Sequence, residues 1–333
     1  MKKLTTLKKE YVAIIITTLL ITIIIMTTIY VKIRPPTQVD RELDFIFWLQ
    51  SFRSPPLDGL FSFIGYLGKD DFITIVAVIL YWCVNPTLGL RFLLVLLASG
   101  YLHTAAKDIF RIPRPAADQV YFLAEPPDGS FAFPSGDVMN STVLFAYLAG
   151  LYRRKPLITI TLIAIPLLGL SRIYRGAHWP SDILGGVAMG IALVWFGFII
   201  YRLWDKKQVA LSMFWRLALG TVIPVLFFII YPEPPLTPKP SISTVTMVTG
   251  TSLGVVIGYS LERRYVRFPV RVVFTRQLAK VAIGLFLVFL MQMFLGWVLR
   301  GEVWLRIIRF ALIGFLGTFI VPCIFRTLFG KQE

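Results

Sequence analysis

The sequence predicts an all-α protein, a polytopic membrane helical bundle of about ten transmembrane helices. Three observations carry that prediction. Only 16% of the 333 residues are charged and 56% are hydrophobic, where a soluble chain carries roughly 25% charged residues. The apolar residues gather into runs close to the ~20 needed to cross a hydrocarbon core as a helix. The lysines and arginines, which leave a net charge of +16, collect in short segments between alternate runs. That distribution suits topology and anionic headgroups better than a nucleic-acid groove.

Taken in order, the first run, 11–31, follows Lys2, Lys3, Lys8 and Lys9. It exceeds the ~7–15 apolar residues of a secretion signal and has no small-x-small site after it, so it reads as an uncleaved span. Residues 42–52 read as a short amphipathic helix at the interface, greasy on Leu43, Phe45, Ile46, Phe47, Trp48 and Leu49. Further spans are expected near 60–83, 88–106, 136–152, 157–171, 183–203, 216–231, 244–261, 281–298 and 305–325, the one at 157–171 being short. Gly186 with Gly190, and Gly250, Gly254 and Gly258, form four-residue ridges of the kind that let helices approach closely. Cys83 and Cys323 give no disulfide framework and are expected to pack.

With the N-terminus inside, the cytoplasmic loops are 85–88, 152–155, 204–216 and 262–280. They hold Arg153, Arg154, Lys155, Lys206, Lys207 and a basic series from Arg263 to Lys280, expected to face anionic lipid. Both termini are then cytoplasmic. Two outward segments break the rule: 107–135 carries Lys107, Arg111 and Arg114, and 171–182 carries Arg172 and Arg175. For Arg111 and Arg175, snorkelling to headgroups is as good a reading as a functional one. Lys107, Arg114 and Arg172 together need another reason.

Three outward segments share that polar content: Lys107–Pro115, then Phe133-Pro-Ser-Gly-Asp137, then Ser171–Asp182. Each lies at a helix terminus on one side of the membrane. Lys107, Arg114 and Arg172 offer a point charge and two planar forks to phosphoryl oxygens. Ser135 and Gly136 open a helix whose free N–H groups face an incoming anion. His178 is one of two histidines, and Asp182, four residues on, can fix its tautomer and leave the other ring nitrogen to attack phosphorus. The other histidine, His103, lies one turn before Lys107 and reads as a packed intramembrane residue.

The pattern Lys-x6-Arg-Pro, Pro-Ser-Gly, Ser-Arg-x5-His-x3-Asp resembles the type 2 phosphatidic acid phosphatase superfamily, across roughly 40–203. The resemblance implies a six-helix phosphatase core there, after an N-terminal span and leader at 1–39 and before a four-span extension of unassigned role at 204–333. It implies that Lys107, Arg114, Ser135, Gly136 and Arg172 bind phosphate, that His178 is the nucleophile oriented by Asp182, and that no metal or other cofactor is needed. The expected activity is hydrolysis of a lipid phosphate or lipid pyrophosphate, phosphatidate-like or polyprenyl, through a phosphohistidine on the outward face of a bacterial inner membrane. Transfer of the phosphoryl group to an acceptor lipid, and a catalytically impaired lipid-binding protein, are the alternatives. The bilayer is the expected partner, and no nucleic acid is.

One position departs from the pattern. Where the family has a second-motif histidine that protonates the leaving group, this chain has Asp137. Aspartate ordinarily ionises near pH 3.9 and histidine near 6.5. Three readings stay open: Asp137 is an acid loaded by bound substrate, the leaving group needs little help, or the site is repurposed.

Overall fold

The computed structural model describes residues 35–123, 130–206, 212–231 and 240–330, with isolated positions at 24, 28, 29 and 33. The expected first span therefore falls almost wholly outside the described residues. All regular structure among them is helical. Six helices are long and apolar enough to cross a membrane: Pro86–Phe110, Lys155–Tyr174, Pro180–Leu203, Ser241–Val266, Phe274–Val298 and Val303–Phe329. They coincide with six of the expected runs, and those at 136–152 and 216–231 appear as the shorter helices Gly136–Tyr152 and Met213–Ile229. The protein is an integral membrane helical bundle. Its residues fall into two compact units, Met1–Asp70 with Ala106–Leu203, and Asp71–Ala105 with Trp204–Glu333.

In the first unit, α1 (Pro36–Gln50) starts with Pro36, whose missing N–H costs nothing in the first turn. It begins earlier than the expected amphipathic helix, and its apolar residues divide between two faces rather than sharing one. Val39, Leu43, Ile46 and Leu49 pack inward on a core containing Val120, Ala132, Val138, Ile173, Trp179 and Ile183. Phe45, Phe47 and Trp48 stay exposed. Buried Glu42 accepts from Gln38 Nε2 at 3.2 Å and from Ser181 Oγ at 3.2 Å, fastening α1 to the start of a later helix. The expected span at 60–83 is not continuous. α2 (Pro55–Tyr66) stops, a turn intervenes, and α3 (Asp70–Ile79) resumes. The turn holds Gly68, where a Cβ would stand 2.9 Å from Ser141 Oγ and 3.4 Å from an Arg172 nitrogen. The backbone passes close to these side chains, so any side chain at this position would crowd Ser141 and Leu168.

α4 (Pro86–Phe110) ends at the polar segment 111–123. α5 (Gly136–Tyr152) is closed by Arg153 in the left-handed region, φ 49°. α6 (Lys155–Tyr174) spans 20 residues, more than its expected 157–171, because its last turn is buried in protein: Ser171, Arg172, Ile173 and Tyr174 are all inaccessible. α7 (Pro180–Lys206) packs its glycines on α5, since a Cβ at Gly186 would meet the Ser135 carbonyl and one at Gly190 the Met139 carbonyl.

In the second unit, α8 (Met213–Ile229) and α9 (Pro240–Leu261) precede α10 (Phe274–Val298), α11 (Val303–Phe315) and α12 (Val321–Phe329). The Gly250, Gly254 and Gly258 ridge is a packing device, as expected. A Cβ at these positions would strike the Ile307 carbonyl, the Ala311 carbonyl and the Thr318 hydroxyl. Two π-helical turns, 80–84 and 316–320, also meet here: Tyr81 and Trp82 donate to the carbonyls of Thr318 and Gly317 at 3.1 and 2.9 Å. Widened turns present carbonyls sideways, which explains the pairing. Cys83 and Cys323 are half-buried free thiols packed on the same cluster.

Lys280 departs from its expected place in a lipid-facing basic loop. It is fully buried on α10, and its Nζ donates to the carbonyls of Trp82, Pro269 and Val270 at 2.7, 2.9 and 3.0 Å. The Phe268 and Phe325 rings flank it at 5.2 and 5.3 Å. Replacing Lys280 with Met keeps the bulk but strands three carbonyls, each at about 1–3 kcal/mol. The detergent-solubilised variant should lose ~5 °C or more in apparent melting temperature, and an unchanged melt would show that the carbonyls find other donors.

Candidate active site

The site is built where three chain segments of the first unit converge. Ser135 caps α5 with extended backbone, and its N–H donates to the Asp182 carbonyl at 3.1 Å. Ala132 N–H donates to the Ile112 carbonyl at 2.8 Å, and Trp179 Nε1 to the Pro113 carbonyl at 2.9 Å. The second motif is thereby tied to both of the others. Its Phe133–Pro134 peptide bond is cis.

Asp182 sits in the first turn of α7, fully buried. Its Oδ2 accepts the Trp179 N–H at 2.8 Å, closing the helix end in the manner of a capping box. The same oxygen lies 3.4 Å from His178 Nδ1. The contact is long because one oxygen serves two donors. It still sets the ring: with Nδ1 turned to a carboxylate, Nδ1 carries the hydrogen and Nε2 keeps its lone pair. Nε2 faces Arg114 Nη1 at 3.2 Å. The remaining Arg114 donors hold the guanidinium in place, with Nη1 to the Ala177 carbonyl at 2.5 Å and Nη2 to Ser130 Oγ at 2.9 Å.

His178 is only 4% exposed. Burial above all, then the charges of Arg114, Lys107 and Arg172, hold its pKa well below the ordinary histidine value, with a backbone hydrogen bond to Ala132 opposing them. At neutral pH the ring is uncharged, the form a nucleophile needs.

Arg172 is buried and its Nη1 pairs with Asp137 Oδ2 at 2.8 Å, the carboxylate being 35% exposed. A second Arg172 nitrogen donates to the Gly65 carbonyl, a partner from the broken second run. Lys107 interacts electrostatically with Arg114, Asp137, Asp182 and Asp70. Its ammonium makes no hydrogen bond among the described residues. Ser135 Oγ is buried without a partner, an orphaned hydroxyl at the start of α5.

Lys107, Arg114, Ser135, Asp137, Arg172, His178 and Asp182 are thus gathered, with Gly136 at the first residue of α5. His103 is met by its own helix, Nδ1 lying 2.9 Å from the Ser99 carbonyl. Glu125 and Asp128 lie outside the described residues. Several supports had no sequence signal: Gly65, Ser130, Asn140, whose Nδ2 donates to Asp70 Oδ1 at 2.7 Å, and Gln50, which grips the Tyr121 and Tyr174 carbonyls at 2.8 and 2.9 Å.

Fold and site together define an integral membrane protein with a buried histidine set among cations at its helix ends. The chain belongs to the PAP2 superfamily, whose profile matches residues 88–208, and a profile described as "PAP2 superfamily phosphatase, transmembrane extension" matches 246–333. Sphingosine-1-phosphate phosphatase 2 of Mus musculus is 28% identical over 206 residues, 60% of this chain and 57% of that protein. Phosphatidylglycerophosphatase B of Bacillus subtilis is 29% identical over 169 residues, 46% of this chain and 78% of that one. The match therefore spans little more than half the length of the first relative. A crystal structure of a PAP2 type phosphatidylglycerolphosphate phosphatase from Bacillus subtilis aligns with a TM-score of 0.48 at 23% identity, over 59% of this chain and 98% of that one.

The depressed His178 pKa can be measured directly. In a His103→Gln protein carrying ring-labelled histidine, the nitrogen shifts should show a neutral ring down to a midpoint below ~6.5. The sign follows for stability: the unfolded chain takes up this proton first, so the histidine's contribution is intact above pH ~6.5 and is lost as pH falls from there toward the folded pKa. A midpoint at or above 6.5 would contradict the burial argument.

Proposed function

We propose that the chain is a membrane phosphatase that hydrolyses a lipid phosphate or lipid diphosphate through a phosphohistidine, in a bacterial inner membrane with its site outward and both termini cytoplasmic. The observation that supports it most is His178 Nε2, held 3.2 Å from Arg114 Nη1 by an Nδ1 contact to Asp182. A phosphoryl group drawn to Arg114, Arg172, Lys107 and the Ser135–Gly136 helix end meets that lone pair. Nε2 attacks phosphorus, an N–P bond forms and the P–O bond to the lipid breaks. The leaving oxygen takes a proton, water then attacks the phosphohistidine, and the N–P bond breaks to release phosphate. Preorganised cations are the main source of rate in this scheme. The Lys- and Arg-bearing loops 152–155, 204–216 and 262–280, read as cytoplasmic by the positive-inside bias, support the outward placing of the alternate segments.

The Asp137–Arg172 pair bears on the proton donor. As paired, Asp137 is a carboxylate occupying a fork that phosphate also wants. A bound phosphate on Arg172 stands beside that carboxylate, and two anions so close are relieved by sharing a proton. This favours Asp137 as an acid loaded by substrate. Residues 40–203 act as the catalytic core in this reading.

Two measurements test it. His178→Ala should abolish release of free phosphate from a lipid phosphate, and activity surviving the substitution would remove the nucleophile. Phosphate found only on an acceptor lipid would mean transfer instead. Asp137→Asn should lower kcat by ~10²-fold or more while tightening inorganic phosphate inhibition several-fold, since Arg172 is released. An unchanged kcat would exclude Asp137 as the acid.

A further inference from the structure

Arg175 is a cation that neither the superfamily pattern nor the phosphate site accounts for. It ends α6, one turn beyond Arg172, where positive charge runs against topology. Its backbone is well used, donating to Ser171 and accepting from Leu123. Its guanidinium makes no hydrogen bond or ion pair among the described residues. The other outer-rim arginines differ in this respect. Arg53 pairs with Asp58 at 2.7 Å, Arg111 Nε donates to the Asp108 carbonyl at 3.0 Å, and Arg114 and Arg172 are held as above.

The snorkelling reading fits Arg111, which is exposed, and does not fit Arg175. The Arg175 side chain is half-buried and lies along Gly65, so that a Cβ there would come within 2.8 Å of Nη1. Gly65 is the residue whose carbonyl Arg172 holds. Two guanidinium groups therefore flank one glycine, one bound to it and committed to Asp137, the other with its donors open. Burial and the Arg172 charge both oppose the Arg175 charge, with Asp137 the opposing influence. A partly desolvated cation beside another cation is costly unless an anion joins them.

We propose that Arg175 is a specificity-determining residue that binds a second phosphate of the substrate, next to the scissile one held by Arg172. The substrate class is then a lipid bearing two phosphates close together, as in a lipid diphosphate. A lipid phosphate with an ammonium group near its phosphate is disfavoured by the same charge. This rests on the phosphatase reading for the words substrate and scissile, while the anion site itself is independent of turnover.

The test separates the two. In the His178→Ala background, binding of inorganic pyrophosphate and of inorganic phosphate is measured by calorimetry on the full chain, with and without Arg175→Gln. A charge-assisted hydrogen bond of about 1.5–3 kcal/mol predicts that the preference for pyrophosphate falls roughly tenfold or more. Arg175→Lys should restore part of it, and Gly65→Ala, which displaces Nη1, should lower it as Arg175→Gln does. An unchanged preference overturns the proposal, as does failure of both anions to bind the parent. A shifted preference in the His178→Ala background, where the protein with His178 intact releases no phosphate from any lipid, keeps the Arg175 site and overturns the phosphatase reading alone.

Discussion

Asp182 is shared three ways, and the polar site of the first unit is organised around the sharing. Its backbone carbonyl takes the Ser135 N–H, one carboxylate oxygen takes the Trp179 N–H, and that oxygen also faces His178. The first bond brings the second motif against the third. The second starts α7. The third selects which nitrogen of the imidazole stays open. A fully buried carboxylate is tolerable because cations and N–H groups surround it. Removing it would loosen a helix start, a loop junction and a ring orientation together, so an Asp182 variant cannot be read as a loss of orientation alone.

Charge is concentrated here in a way a bilayer protein normally avoids. Arg114, Arg172, Lys107 and Arg175 share a small region, countered within it by Asp137, Asp182 and Asp70. The excess is positive, and the neutral His178 adds nothing to it. A site with one net deficit of negative charge is already shaped for an anion before any arrives, which is what preorganisation means in energetic terms. The orphaned Ser135 hydroxyl belongs to the same account.

Much of this was legible in the chain. The long apolar helices follow from hydropathy because lipid leaves the backbone few other choices. The three motifs follow from chemistry, since their cations break the alternation of charged and uncharged loops that the other segments keep. What escaped was decided by tertiary contact. The Leu67–Lys69 turn splits an apolar run because the backbone at Gly68 must lie against Ser141, and a hydropathy window averages over three residues. Lys280 looked like a loop cation, yet the distant Trp82 carbonyl and the neighbouring carbonyls of Pro269 and Val270 converge on it. The two faces of α1 could not be separated, because Leu43, Phe45, Ile46, Phe47, Trp48 and Leu49 leave almost no polar residue to mark a boundary. Gln50, Ser130 and Gly65 carry no type-specific signal, as their roles depend on partners 16 to more than 100 residues away.

The α9 ridge has a consequence for how much change the chain can absorb. Gly250 and Gly254 lie so close to α11 that no added carbon fits without moving backbone, and Gly258 lies as close to Thr318 in the turn that follows. By contrast, Phe286, Phe289, Met293 and Phe294 on α10 point outward, where a different apolar residue alters little. The second unit thus divides into a rigid seam, where shape alone restricts the alphabet to one letter, and an outer skin, where only greasiness is required. Drift in such a sequence would be written on the skin and erased at the seam.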